Sequence, residues 1–188
     1  MPERRAGEVA PPVAKQDAML RGMTIAGVVL ASATGLLQLR TSDFSAGGSM
    51  PRALMATDCG GQNRSPGLTW TQIPKGAKSF ALIMHDADAP IPGGFYHWVV
   101  YDLPAQTREL AGNAKLSKSQ LGETSADKQG YYGPCPPPGP AHHYTITLYA
   151  LDVADTASGA VLTGPQLERR VDGHVLGRAV LLGTASRP

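Results

Sequence analysis

A β-dominated domain is the fold class this sequence predicts, and three features carry the expectation. The 188-residue chain holds 22 glycines and 16 prolines, residues that interrupt helices and shape turns. From Leu39 onward, short apolar segments are divided by turn residues, the texture of a sandwich or barrel. The body of the chain carries only one well-patterned helical stretch, near its C-terminal end. With 42% hydrophobic and 17% charged residues, the chain has the composition of a packed protein, and its length suits one domain.

The elements follow in order. Residues 1–18 are polar and proline-containing, without a period that would hold them on a core, and read as a disordered or untranslated extension. A run free of charge follows from Thr24 to Leu37, flanked by Arg21; it is short for a membrane span and matches the apolar region of a secretory signal. Ala31-Ser32-Ala33 fits a small-x-small cleavage site. Residues 1–38 are therefore assigned to an extension with a signal-like segment and 39–188 to the domain. With translation starting at Met19 or Met23, export to a periplasmic or extracellular location is the expectation; the alternatives are an uncleaved membrane anchor or an ordinary buried helix in a cytoplasmic protein.

Within the domain, Leu68-Thr69-Trp70 reads as a short strand with Trp70 as a core or rim anchor. Ser79-Phe80-Ala81-Leu82-Ile83-Met84 is almost wholly apolar, as a strand covered on both faces would be. A further strand is expected at His97-Trp98-Val99-Val100-Tyr101, and another at 144–151, where Tyr144, Ile146, Leu148 and Ala150 share one face. Gly164-Pro165 opens a helix with Leu167, Val171 and Val175 as its apolar stripe. Ala179-Val180-Leu181-Leu182 reads as a last strand.

Seventeen basic against fifteen acidic residues leave a formal charge of +2, without a basic run that would track a phosphate backbone, so nucleic acid is not an expected partner. Cys59 and Cys135 are the only cysteines and do not form a close metal-binding or redox pair. They form one disulfide in an oxidising compartment or two separate buried thiols in a reducing one; export would favour the bridge.

Ionisable residues gather at the ends of the apolar strands. Asp86 and Asp88 are two apart and would point the same way in extended chain, a costly arrangement unless cations or donors face them. His97 begins the next strand and His142 the one after, with Tyr144 close behind; His143 points away from His142 and is left out. If these ends converge, Asp86, His97, His142 and Tyr144 surround a small polar ligand. Between them, Gly130-Tyr131-Tyr132-Gly133-Pro134-Cys135-Pro136-Pro137-Pro138-Gly139-Pro140 lacks too many backbone donors for a helix or central strand and reads as a stiff loop. It serves as a pocket wall, a recognition surface or a plain crossover.

Taken together, Thr41-Ser42-Asp43-Phe44, Cys59-Gly60-Gly61-Gln62-Asn63-Arg64-Ser65-Pro66, Lys78-Ser79-Phe80-Ala81-Leu82, Asp86-Ala87-Asp88-Ala89-Pro90, His97-Trp98-Val99-Val100, Gly130-Tyr131-Tyr132-Gly133-Pro134-Cys135-Pro136-Pro137, His142-His143-Tyr144 and Gly173-His174-Val175-Leu176 resemble the phosphatidylethanolamine-binding protein family, also called Raf kinase inhibitor-like, and its short bacterial members. The resemblance implies a Greek-key antiparallel β-sandwich with peripheral helices. It also implies an anion pocket at Asp86, Asp88, Pro90, His97, His142 and Tyr144, with Pro134, Cys135 and Pro136 in the wall. Two departures stand out: Ala87 replaces the usual proline and His143 the usual arginine, which weakens preorganisation and positive charge. The segment Ser125-Ala126-Asp127-Lys128 departs as well.

The leading functional expectation is non-catalytic binding of a small anionic or phosphorylated ligand, with His97 and His142 donating to it, Tyr144 adding its hydroxyl, and the aspartates orienting the imidazoles. A protein-interaction or inhibitor module using the same mouth is the alternative. An enzyme using Asp/His acid–base chemistry is a third reading, disfavoured because no nucleophile elbow or zinc-protease helix is present. No cofactor or metal is implied, and these residues do not set an oligomeric state.

Overall fold

The computed structural model describes residues 36–187; the extension and signal-like run expected over the preceding residues lie outside the described residues. The fold begins slightly earlier than expected, since Leu37 is already buried and β1 spans Gln38–Arg40. β1 pairs antiparallel with β2 (Leu68–Thr71), which pairs with β5 (Glu109–Leu110). The larger sheet has the order β4-β3-β6-β7, formed by β3 (Ser79–Asp86), β4 (Phe95–Pro104), β6 (His142–Leu151) and β7 (Val175–Ala185), every neighbour antiparallel. The chain therefore crosses between sheets, leaving for β5 before returning to lay β6 beside β3.

β3 is central, and its nearly continuous apolar sequence follows from burial on both faces. One face, with Phe80, Leu82 and Met84, joins Trp70 and Leu68 of the small sheet and Ile146 and Leu148 of β6 in the main core. The Trp70 and Phe80 rings meet edge to face at 5.4 Å. The other face presents Ala81 and Ile83 to Val99, Tyr101 and the helix residues Leu167 and Val171. In β6 the expected alternation holds: Tyr144, Ile146, Leu148 and Ala150 are all buried toward the main core.

The helix α1 (Gly164–Val171) starts behind Thr163, whose backbone N–H donates to the Gln166 side chain, a reciprocal cap joined by Pro165 in the first turn. It ends sooner than its sequence pattern predicts. His174 N–H returns to the Val171 carbonyl, closing a turn, so Val175 leaves the apolar stripe and opens β7 at 41% exposure. β7 in turn is much longer than the four-residue strand expected, because Gly177 and Gly183 conceal its two-residue alternation. Three short 3-10 turns, Arg52–Leu54, Thr57–Cys59 and Lys118–Gln120, complete the periphery. Among the described residues no helix is long and apolar enough to cross a membrane.

Candidate functional site

Antiparallel pairing dictates where the strand ends meet. The last residue of β3, Asp86, pairs with Phe95 at the start of β4 on one side and with Tyr144 near the start of β6 on the other. These three ends surround a cavity of about 180 Å³. Its polar lining is Asp86, His97, His142 and Tyr132; Pro90, Ile91 and Phe95 form one apolar side, and Cys135, Pro136 and Pro137 another.

Asp86 is only 2% exposed and fully engaged. Its Oδ2 accepts from His142 Nδ1 at 2.8 Å, and its Oδ1 accepts the Asp88 backbone N–H at 2.9 Å. The second of these bonds overturns part of the sequence expectation. The chain turns immediately after Asp86, so Asp88 does not point the same way: its Oδ2 accepts both the backbone N–H and Nδ1 of His143, at 2.8 and 2.7 Å. Those hydrogen bonds hold the Asp88 carboxyl below its usual range. The two carboxylates thus face one imidazole each, and Asp88 with His143 sits at the exposed mouth and does not line the cavity. The loop can fold back on itself because position 94 is glycine; a Cβ there would stand 2.5 Å from both the Asp86 carbonyl and His85 Nε2.

His97 is 3% exposed, and its Nδ1–H donates to the Tyr132 carbonyl at 2.8 Å. Burial outweighs the favourable pull of that carbonyl and of Asp86, and lowers its pKa to about 4. The ring is therefore neutral at neutral pH, with its one proton held by the Tyr132 carbonyl, where the sequence reading has His97 donating to a ligand. Tyr144 is also reassigned. It lies beneath the cavity at 0% exposure, edge-on to His97 with centroids 5.2 Å apart, and does not line it. Burial, followed by the charge of Asp86, raises its hydroxyl above the usual range, yet no aligned hydrogen bond forms and the hydroxyl is left without a partner.

The wall is stiff for reasons beyond its prolines. Cys59 and Cys135 are joined, with Cα atoms 5.5 Å apart, closing a separation of 76 residues. Asn63 donates from Nδ2 to the Tyr131 carbonyl at 3.0 Å and accepts the Gly133 N–H on Oδ1 at 2.7 Å. Ala56 N–H reaches the Pro134 carbonyl, and the Tyr131 and Tyr132 hydroxyls donate to the Leu54 carbonyl and to Asp58. Gly133 permits the approach, since a Cβ would lie 2.2 Å from the Leu54 carbonyl. Pro134 is buried within this seam, leaving Cys135 and Pro136 as the predicted wall residues that reach the cavity.

Phe95, Ile91 and Tyr132 were not singled out by sequence reasoning. Phe95 had a readable signal, being two residues before His97 and thus on the same strand face; their rings are 4.5 Å apart. Tyr132 had none, because its direction depends on the loop. Lys128, in the segment that departs from the family pattern, places its ammonium 5.5 Å from the Tyr132 ring centroid.

The chain is 36% identical over 172 residues to a UPF0098 protein of Aquifex aeolicus, covering 88% of this chain and 98% of that one. It is 34% identical over 166 residues to LppC of Mycobacterium tuberculosis, a protein named as a lipoprotein, covering 87% of this chain and 79% of that one. Among solved structures it resembles Escherichia coli YbcL, described as a new member of the mammalian PEBP family, with a TM-score of 0.77, 26% identity and coverage of 82% and 100%. It likewise resembles the homologue CT736 of Chlamydia trachomatis, with a TM-score of 0.73, 35% identity and coverage of 81% and 99%. The family model described as phosphatidylethanolamine-binding protein matches residues 40–186, nearly the whole described fold, so the chain belongs to the phosphatidylethanolamine-binding protein family.

Proposed function

We propose that the chain binds a small phosphorylated ligand, a free phosphomonoester or a phospholipid headgroup, in the cavity at the ends of β3, β4 and β6, without transforming it. The observation that carries this reading is the buried Asp86–His142 pair beneath a small opening. When the His142 ring carries both protons, Nδ1–H stays on Asp86 and Nε2–H can donate a charge-assisted hydrogen bond to an anion. Repulsion between Asp86 and the ligand is limited because both carboxylate oxygens already accept hydrogen bonds. The volume is below that of pockets for drug-sized molecules, which fits a headgroup. Pro90, Ile91 and Phe95 offer an apolar surface to the carbon portion.

Binding without reaction is favoured by the state of the lining. Cys135 is held in the disulfide, and the Tyr132 hydroxyl donates to Asp58, so neither is prepared as a nucleophile. The disulfide and the lipoprotein name of one relative support export. A protein partner at the same mouth is the second reading, favoured by the exposed Ile91 and the exposed prolines beyond Pro136.

Calorimetric titration with phosphoethanolamine near pH 6 tests the proposal. His142→Gln keeps a donor for Asp86 but cannot become cationic, and it is expected to weaken binding at least tenfold, about 1.4 kcal/mol. Unchanged affinity in a folded His142→Gln variant would contradict it.

A further inference from the structure

The two cavity imidazoles are not equivalent, and the difference sets what a ligand must carry. A carbonyl only accepts, so the bond from His97 to the Tyr132 carbonyl fixes a proton on Nδ1. In the neutral ring Nε2 is then a lone pair; the Gly133 backbone also pulls the ring toward protonation, as the Tyr132 carbonyl does, but burial outweighs both. The groups around the ring do not supply a second proton. From β3, the Asp86 charge favours one, but that carboxylate is committed to His142 and the Asp88 backbone, while the charge of His85 opposes it. From β6, the Tyr144 ring stands edge-on and His142 turns its own Nδ1 to Asp86. Phe95 covers the ring from its own strand, and Tyr132 flanks it from the wall. Burial decides the outcome, consistent with the pKa near 4.

We propose that His97 is a specificity-determining residue that accepts a hydrogen bond from the ligand, so that the cavity selects a phosphate monoanion, which carries both P–OH and P–O⁻, over a tetrahedral oxyanion with no proton. The proposal rests on the phosphate-binding reading above. A monoanion satisfies both imidazoles at once: its P–OH donates to His97 Nε2, and an unprotonated oxygen accepts from His142 Nε2–H. Sulfate has the same shape and no proton at neutral pH, so it sets an oxygen lone pair against that of His97 and leaves a buried acceptor unpaired. His142 can donate to an unprotonated oxygen of either anion, and the charge difference between the two anions is the same in wild type and variant, so the change in their affinity ratio on replacing His97 isolates that residue.

Calorimetry near pH 6 with inorganic phosphate and with sulfate, on the full chain, provides the test. Phosphate is expected to bind at least tenfold more tightly than sulfate. In His97→Gln, whose amide can turn an N–H to the ligand, the ratio is expected to fall to about twofold or less. Equal binding of the two anions by the wild-type protein would overturn the proposal while leaving phosphate binding intact. Binding of neither would overturn both readings. A full wild-type ratio in folded His97→Gln would place the discrimination on another residue and overturn the assignment. The wild-type comparison needs no variant, so a failure of His97→Gln to fold does not remove the test.

Discussion

At the scale of single residues, His97 carries an energetic consequence independent of any ligand. Its pKa is about 4 in the fold, below the ordinary 6.5, because protonation would bury a charge. Between these values the unfolded chain binds more protons than the folded one, so the protein loses stability as pH falls through this window. The loss is about 3 kcal/mol, complete once pH is below 4, and absent above 6.5. Denaturant unfolding of wild type and His97→Gln at a series of pH values checks this: the wild type should lose about 3 kcal/mol more than the variant across the window. Parallel curves would show that His97 titrates alike in the folded and unfolded chain and would contradict the lowered pKa. Sequence made part of this site readable, since a histidine opening a strand beside another strand's terminal aspartate is a pattern in the chain. It did not reveal that His97 is neutral, because the burial that lowers its pKa is set by the tertiary packing around the ring, with a backbone carbonyl 35 residues away holding its one proton.

At the scale of elements, the decisive structure is the seam between the 52–63 loops and the 131–137 wall. The bridge closes a separation of 76 residues and, on loop entropy, stabilises the fold by roughly 4 kcal/mol. Asn63 works beside it, satisfying the Tyr131 carbonyl and the Gly133 N–H with one amide. Asn63→Ala is expected to cost about 1–3 kcal/mol, because it strands both groups. It should also weaken phosphoethanolamine binding, since the wall that carries Tyr132 loosens. Thermal unfolding alongside calorimetry checks both effects; an unchanged melting temperature would contradict the role given to the seam. The strands were legible because burial enforces a two-residue period, as in Tyr144, Ile146, Leu148 and Ala150. Turns were less so. Extended geometry predicts Asp88 on the same side as Asp86, but the Asp86 side chain caps a turn that carries it to His143. Val175 fitted the helical period, yet the turn at His174 ends the helix first.

At the scale of the whole molecule, the sandwich makes the site by topology. Placing β3 between β4 and β6, both antiparallel to it, brings one C-terminal strand end beside two N-terminal ends. Three segments distant in sequence thus deliver Asp86, His97 and His142 to one opening, while the main core beneath holds Tyr144 against His97. The convergence was readable as a proposal from strand-end chemistry, and the family pattern supplied the topology that realises it. Which residues close the rim was not readable, because Tyr132 and Lys128 depend on loop conformation. The central claim is that a phosphorylated ligand sits between the Nε2 atoms of His97 and His142. Imidazole ¹⁵N NMR during titration with phosphoethanolamine tests it most directly. The account predicts saturable shifts at His97 and His142 Nε2, with His97 retaining the neutral Nδ1–H form and His143 and His174 little affected. Saturable binding with both cavity imidazoles unperturbed, or shifts confined to residues beside α1, would contradict it.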